Sequence, residues 1–215
     1  MPEPLPKPVA LQFTEEMKGY ISPGQHNCQQ GYDEGKAGGL ALMFHLTIRI
    51  DDLDAFIADP AHHAQAIGYL EGSYIGGRQP VLAGEFNLFA DSGDADRKTM
   101  LYRLKFENSA GQALTLCGRK DIRDDFGFDT WSDTTTLYVN LYAGHVSAAD
   151  EGAATLLASG ILHIQVRDFL HQLTTFQADA PTLGERLHAV SLLLGHFRPE
   201  SSIAFCNTKQ QCRDL

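Results

Sequence analysis

Alternation of polar and apolar residues dominates the middle of this chain, from Leu40 to Val166. In residues 100–107 every second side chain is apolar or aromatic: Met100, Tyr102, Leu104 and Phe106. Strict period-two alternation is typical of a half-buried strand. Because such segments follow one another with little room for helices between them, the pattern predicts an antiparallel sheet that curls into a barrel or a sandwich.

Seven segments carry this strand pattern. They span residues 40–50, 65–74, 81–89, 100–107, 113–119, 134–143 and 154–165. Residues typical of turns separate them, as at Gly76-Gly77. Between the first two strands, Leu53, Phe56 and Ile57 predict a short helix that Pro60 either ends or restarts. The segments together predict an antiparallel meander.

Two helices are predicted after the last strand. In residues 166–176, apolar side chains recur at three or four residues, namely Phe169, Leu173 and Phe176. Thr182 and Glu185 form a capping box at the start of a second helix over residues 183–197. Since so apolar a helix must bury one face, we expect it to cover a side or an end of the strands. The predicted fold is mainly β, a lipocalin-like β-barrel or a sandwich, with two C-terminal helices.

The ends of the chain differ in composition from its middle. Four prolines in the first eight residues predict an extended arm over residues 1–12. Residues 13–39 are rich in Gly and Gln, and we expect them to wrap irregularly around the core, with at most one helical turn in FTEEMKGY. A single barrel domain with its C-terminal helices is predicted over residues 40–200, followed by a tail over residues 201–215.

The composition and net charge of the chain argue against some classes of binding partner. The net charge of −10 argues against nucleic acid and against an anionic membrane surface, because both require clustered Lys and Arg. No apolar stretch approaches the roughly 20 residues of a membrane-spanning helix, and no secretory signal precedes the strands. Five residues separate Cys206 from Cys212, which does not fit a zinc knuckle. We therefore expect free thiols in a reducing cytoplasm, with pairing of these two cysteines left open, and no metal or other cofactor.

The most distinctive block is DIRDDFGFDTWSDTTTLY, residues 121–138. Asp125, Asp129 and Asp133 are four residues apart, whereas a calcium loop of the EF-hand type places its ligands at alternate positions. We favour a long connection whose aspartates accept backbone hydrogen bonds. Its aromatic residues, Trp131 among them, would then cover a barrel mouth or a sheet edge.

No nucleophile elbow of the GxSxG type and no GxGxxG dinucleotide motif occurs in the chain. Enzymes built on barrels assemble sites from single residues on separate strands, which spacing cannot reveal. The candidates for acid–base chemistry are His45, Glu85, Tyr102, Asp129 and Asp133. The candidates for ligand binding are Phe86, Tyr102, Trp131 and Tyr138.

Several segments together resemble one bacterial module of unassigned role: FTEEMKGY (13–20), LALMFHLTIRIDDLDAFIADPAHHAQAIGY (40–69), GEFNLFAD (84–91), MLYRLKF (100–106), LTLCGRKDIRDDFGFDTWSDTTTLY (114–138) and ASGILHI with DFLHQLTTF (158–176). That module is similar to a region found joined to, or beside, GMC-type (glucose–methanol–choline) flavin oxidoreductases and α/β-hydrolases of cholesterol-oxidase-like type. The chain lacks the flavin-binding glycine motif and the hydrolase elbow. The resemblance therefore implies work alongside such enzymes, on sterols or other apolar substrates.

These observations leave three functional hypotheses. The first is a non-catalytic accessory or binding module for an apolar, sterol- or lipid-like ligand, since small β-barrels can enclose one small molecule. The second is a small cofactor-independent enzyme of the isomerase or cyclase type with its site inside the barrel. The third is a structural or protein-docking domain. Whether the barrel is hollow or filled is the observation that the sequence leaves open.

Overall fold

The computed structural model describes residues 9–91, 97–123, 136–164 and 177–179. Eight antiparallel strands form a closed barrel. In chain order they are β1 (Ala10–Pro23), β2 (Ala41–Ile50), β3 (His63–Gly72), β5 (Ala83–Asp91), β6 (Arg97–Glu107), β7 (Ala113–Arg123), β8 (Thr136–Ala143) and β9 (Leu156–His163). Two short strands, β4 (Gly77–Pro80) and β10 (Gln177–Asp179), pair with β3 and β1 respectively. The predicted barrel is thus confirmed.

The barrel closes where its first strand meets its last. β1 pairs with β9 from Lys18 opposite His163 to Pro23 opposite Ala158. On its other side β1 pairs with β2 along most of its length. From β2 to β9 the strands pair in chain order as a meander, except that β3 pairs with β5 while the short strand β4 pairs with β3 alone.

The segment expected to wrap irregularly, residues 13–39, is instead strand β1 and helix α1 (Cys28–Gly38). FTEEMKGY lies within β1, and residues 10–12, assigned to the proline-rich arm, begin that strand. Leu11, Phe13 and Met17 alternate with less buried residues, as a half-buried strand requires. Glu15 lies between Phe13 and Met17 on the same inward-facing side of β1. Because it is charged, it hid the alternation of polar and apolar residues in the sequence. The barrel domain therefore starts near residue 10 rather than at residue 40.

The predicted short helix is confirmed as α2 (Leu53–Ala58). Its N-cap is Asp52, whose carboxylate accepts a hydrogen bond from the Ala55 N–H at 3.0 Å. The two predicted C-terminal helices, the tail and Cys206 with Cys212 lie outside the described residues.

The described part of the barrel interior is filled with side chains. Eleven apolar residues of the described chain have no accessible surface: Met17, Phe44, Leu46, Ile48, Leu70, Leu104, Phe106, Leu137, Val139, Ala158 and Leu162. A void large enough for water beside any of these side chains would expose part of its surface. These residues therefore pack directly against other atoms, at the density typical of a protein core.

Helix α1 covers the outside of the seam between β1 and β9. A Cβ added at Gly31 would lie 2.0 Å from the carbonyl oxygen of Ser159 on β9, and one at Gly35 would lie 2.3 Å from the carbonyl oxygen of Ile21 on β1. The helix backbone therefore rests on both closing strands through two glycines. Within the described residues, no helix is long and apolar enough to cross a membrane.

We expect the substitution Gly31→Ala to lower the free energy of unfolding by about 1–3 kcal/mol, because the added methyl group must push α1 away from β9. The loss should appear even though alanine favours a helix over glycine by about 1 kcal/mol. Urea unfolding followed by circular dichroism measures it.

Gly152→Ala is the matched control, since a Cβ at Gly152 meets nothing within 4 Å. We expect this variant to stay within about 0.5 kcal/mol of the wild type. Equal effects of the two substitutions would contradict the close contact between helix and barrel.

Candidate functional site

Three polar side chains meet inside the barrel. Glu15 on β1, Tyr102 on β6 and Lys120 on β7 each occupy the apolar phase of their strand and so face the interior. The Tyr102 hydroxyl donates a hydrogen bond to Glu15 Oε2 at 2.7 Å. The Lys120 ammonium donates to Glu15 Oε1 at 2.5 Å. We call these three residues the polar centre.

The polar centre is as buried as the apolar core around it. The side chains of Glu15 and Lys120 are each 2% exposed, and Tyr102 is 3% exposed. Removing a carboxylate and an ammonium from water costs several kcal/mol per ion, which their attraction offsets only in part. Apolar side chains of similar volume would stabilise the barrel as well or better. A buried ion pair of this kind is therefore a candidate for a functional role.

Electrostatics keep Tyr102 protonated. Burial raises the pKa of its phenol well above the ordinary value, and the charge of Glu15 and the hydrogen bond to its carboxylate raise that pKa further. Lys120 Nζ lies 5.3 Å from the centroid of the Tyr102 ring, within range of a cation–π interaction. The polar centre therefore consists of a carboxylate, an ammonium and a neutral phenol.

Aromatic rings line one side of the polar centre. The Phe86 ring meets the Tyr102 ring edge-on at 4.8 Å between centroids, and the Phe44 ring lies 5.7 Å from it. Phe13 contacts Phe86 in turn, at 6.3 Å. Phe86 and Tyr102, both candidates from the sequence, are thus adjacent inside the barrel.

His45 and Glu85, two of the acid–base candidates, lie on the outer face. His45 stacks on Tyr69 at 5.5 Å, and its Nδ1 lies 3.2 Å from Glu16 Oε2. Glu85 Oε1 lies 3.8 Å from the Lys105 ammonium. Both residues occupy the polar phase of their strands, which faces away from the core. The structure does not bring them to Tyr102.

The remaining candidates from the sequence are Tyr138, Asp129, Asp133 and Trp131. Tyr138 is 46% exposed and lies on the outer face of β8. Asp129, Asp133 and Trp131 lie outside the described residues.

Sequence reasoning missed Glu15 and Lys120, although each gives a readable signal. Glu15 interrupts an apolar row between Phe13 and Met17, and Lys120 ends the row of Leu114 and Leu116 on β7. A charged residue in the apolar phase of a strand must face the interior if the strand keeps its register. That signal depends on recognising β1 as a strand.

A second polar cluster lies outside the barrel, under the connection between β8 and β9. Arg103 Nη2 donates to Glu151 Oε2 at 2.7 Å, and Arg103 Nη1 lies 3.2 Å from Cys117 Sγ. Burial raises the pKa of the Cys117 thiol to about 12, and the charge of Glu151 also raises it, against the opposing effect of Arg103. This thiol is therefore protonated near neutral pH and has the character of a structural cysteine.

An open groove of about 510 Å³ lies between α2 and strands β2, β3 and β5. Asp59 and His63 line it, and Asp59 Oδ2 lies 2.8 Å from His63 Nδ1. The backbone N–H of Ala61, followed by the His63 side chain, lowers the pKa of Asp59 to about 2. The groove lies outside the barrel and includes none of the three residues of the polar centre.

Among the described residues, no group of three or more His, Cys, Asp or Glu side chains could hold a metal ion.

We expect Lys120→Met alone to lower the free energy of unfolding by about 3–5 kcal/mol, because it leaves the Glu15 carboxylate buried without its counter-ion. The double variant Glu15→Leu with Lys120→Met should recover most of that loss, because it leaves no buried charge without its partner. It should remain below the wild type by about 1–3 kcal/mol, since the buried Tyr102 hydroxyl loses its acceptor. Urea unfolding of the two variants gives both values.

Glu71→Gln is the matched control, since it breaks the ion pair between Glu71 and Arg78 on the exposed surface. Exposed pairs contribute little, so its unfolding midpoint should stay near that of the wild type. A double variant that is as unstable as Lys120→Met would show that the polar centre is needed for stability itself.

We expect Cys117 to resist alkylation by iodoacetamide in the folded protein at pH 8. A pKa of about 12 leaves about one thiolate in 10⁴ at that pH, and the side chain is buried. Peptide mass spectrometry after a timed reaction measures the modified fraction, and the same reaction in urea is the control. Equal rates with and without urea would contradict the buried, protonated thiol.

Comparisons of the chain with models of protein families, with curated proteins and with solved structures find no match. The resemblance to a module beside GMC-type oxidoreductases and α/β-hydrolases stays a prediction from the sequence.

Proposed function

We propose that this protein is a non-catalytic accessory module that binds one apolar, sterol- or lipid-like molecule inside the barrel. The polar group of that molecule would meet the polar centre of Glu15, Tyr102 and Lys120. The observation that carries the proposal is the ion pair with 2% exposure beside Tyr102, among the apolar side chains of the described interior. Sites for small molecules are typically apolar cavities with a few polar groups that fix orientation.

The architecture supports one ligand of small size. A barrel of eight strands has an interior just wide enough for side chains or for one small molecule. Because the described interior is filled, the ligand must displace side chains beside the polar centre. Phe86 is the first that we expect to move, since its ring lies directly against Tyr102.

The sequence resemblance supports the choice of ligand and partner. It implies work beside an oxidoreductase or a hydrolase that acts on sterols or other apolar substrates. A module that holds such a molecule would present it to the partner enzyme, and the chain needs no flavin motif or nucleophile elbow of its own for that role.

A cofactor-independent isomerase or cyclase is the second candidate function. It is favoured by the hydrogen bond of 2.7 Å between the Tyr102 phenol and the Glu15 carboxylate, which places a proton donor beside a base in a buried site. The two functions differ in what happens to the ligand. A binding module returns the molecule unchanged, whereas an isomerase returns a product that chromatography separates.

The binding function is tested by titration of the protein with a fluorescent sterol and a fluorescent fatty acid. We expect saturable binding of one molecule per chain at micromolar concentration for at least one of them. Glu15→Leu with Lys120→Met should weaken that binding at least about tenfold, since it removes the polar contacts of the ligand. Glu71→Gln, on the outer surface, should bind like the wild type.

The unfolding midpoint of the double variant separates lost binding from lost folding, because we expect this variant to be more stable than Lys120→Met alone and to stay folded during the titration. Absence of saturable binding of both probes by the wild type would falsify the proposal.

A further inference from the structure

A second concave surface lies on the outside of the barrel, in the open groove between α2 and strands β2, β3 and β5. Its volume of about 510 Å³ is within the roughly 300–1,000 Å³ that is typical of sites for small molecules. Four apolar residues line part of it, namely Ile50, Ala55, Phe56 and Ala64. The groove is therefore large enough for a small organic molecule and offers part of that molecule an apolar contact.

The charged residues that line the groove are mostly acidic. The cationic groups in the lining are the Arg49 guanidinium and, when it is protonated, the His63 imidazole. Against these two stand four carboxylates, those of Asp51, Asp52, Asp59 and Glu85. Negative charge is thus in excess by two even when His63 carries a proton, so the groove attracts cations and repels anions.

The four carboxylates come from three different parts of the fold. Asp51 and Asp52 lie at the junction of β2 and α2. Asp59 follows the end of α2, and Glu85 lies on β5. In the part of the chain that the structure describes, no three side chains of metal-binding type come close enough together to hold one metal ion. The carboxylates therefore border a volume rather than a point, which favours an organic cation over a metal ion.

The excess charge in the groove belongs to Asp52 and Glu85. The other two carboxylates have close partners, Arg49 at 2.6 Å and His63 at 2.8 Å. Asp52 caps α2 through one oxygen, and it forms no ion pair with a described residue. The Glu85 side chain is 54% exposed, and two cations of β6 lie 3.8 and 3.9 Å from it, beyond hydrogen-bond distance. A cation in the groove can therefore pair with Asp52 and Glu85 without displacing a close ion pair.

From volume, lining and charge together, we propose that this groove is a second binding site, which takes a small organic cation with an ammonium group on an apolar body. The ammonium group pairs with the excess charge of Asp52 and Glu85, and the apolar body contacts Ala55 and Ala64. This site is separate from the polar centre and does not depend on the function proposed for the interior. Because the groove is open to water, salt screens the attraction, with a Debye length of about 8 Å at physiological ionic strength.

Three probes that share a phenylethyl group test the inference: phenethylammonium, phenylethyl alcohol and phenylpropionate. Their dissociation constants are measured by nuclear magnetic resonance titration, with the backbone amide signals of residues 49–65 and 84–85 as reporters. In low salt we expect the ammonium to bind at least about fivefold more tightly than the alcohol or the carboxylate, because it alone has the charge opposite to that of the groove. This preference should shrink in about 0.5 M sodium chloride.

The variant Asp52→Asn with Glu85→Gln removes the two charges that the ammonium meets. Asparagine caps a helix as well as aspartate does, and Glu85 is exposed, so we expect this variant to fold like the wild type. It should bind the ammonium and the alcohol equally. The control variant Asp33→Asn with Glu71→Gln changes the net charge by the same amount on α1 and β3, at residues that do not line the groove. It should keep the preference for the ammonium.

Equal binding of the three probes by the wild type, or tightest binding of phenylpropionate, overturns the assignment of a cation site. The assignment also falls if the ammonium gives no saturable shift up to about 10 mM, or if both variants lose the preference to the same extent. Displacement of the ammonium by micromolar calcium chloride would show a metal site in its place. None of these outcomes involves Glu15, Tyr102 or Lys120, so this site and the binding function of the interior stand or fall separately.

Discussion

The pairing of β1 with β9 is the contact on which the rest of the molecule depends. It joins residues 18–23 to residues 158–163 and turns an open sheet with two free edges into a closed barrel. Only closure gives the sheet an inside, and only closure brings Glu15 on β1 near Lys120 on β7, 105 residues away. Helix α1 rests on both strands of this seam through Gly31 and Gly35. The helix therefore supports a pairing between two strands that lie far apart in sequence.

Inside the barrel, the apolar packing and the buried ion pair contribute differently to stability. The apolar side chains fill the described interior, as stability requires. The ion pair between Glu15 and Lys120 adds little to stability and demands a fixed geometry, because each ion depends on the other for compensation. The polar centre is thus as buried as the apolar core, but it consists of charged and polar groups. This contrast is the basis for proposing the binding site of the apolar ligand in the interior rather than in the open groove beside α2.

Period-two alternation was sufficient to predict β6 and the barrel, because each strand with one buried face shows the period in its own residues. The same rule explains why Phe86 and Tyr102 lie inside and why His45 and Glu85 lie outside. It failed at β1, where Glu15 sits in the apolar phase and Gly19 packs against the backbone of Ile161. The contact between Glu15 and Lys120 was beyond prediction, since the registers of the strands that lie between β1 and β7 around the barrel decide it. Chemistry alone favoured His45 and Glu85, whereas strand phase decides which side chains can meet.

The closing pair also sets how the chain can fold. Strands β2 to β9 pair mostly with sequence neighbours, and such hairpins form from local contacts. β1 cannot complete its pairing until β9 has been synthesised, more than 130 residues later. During synthesis the first strand therefore remains with one open edge until the last strand leaves the ribosome, and synthesis at about 5–20 residues per second makes that interval several seconds long. Helix α1, made directly after β1, is available throughout that interval to cover the edge before its partner arrives.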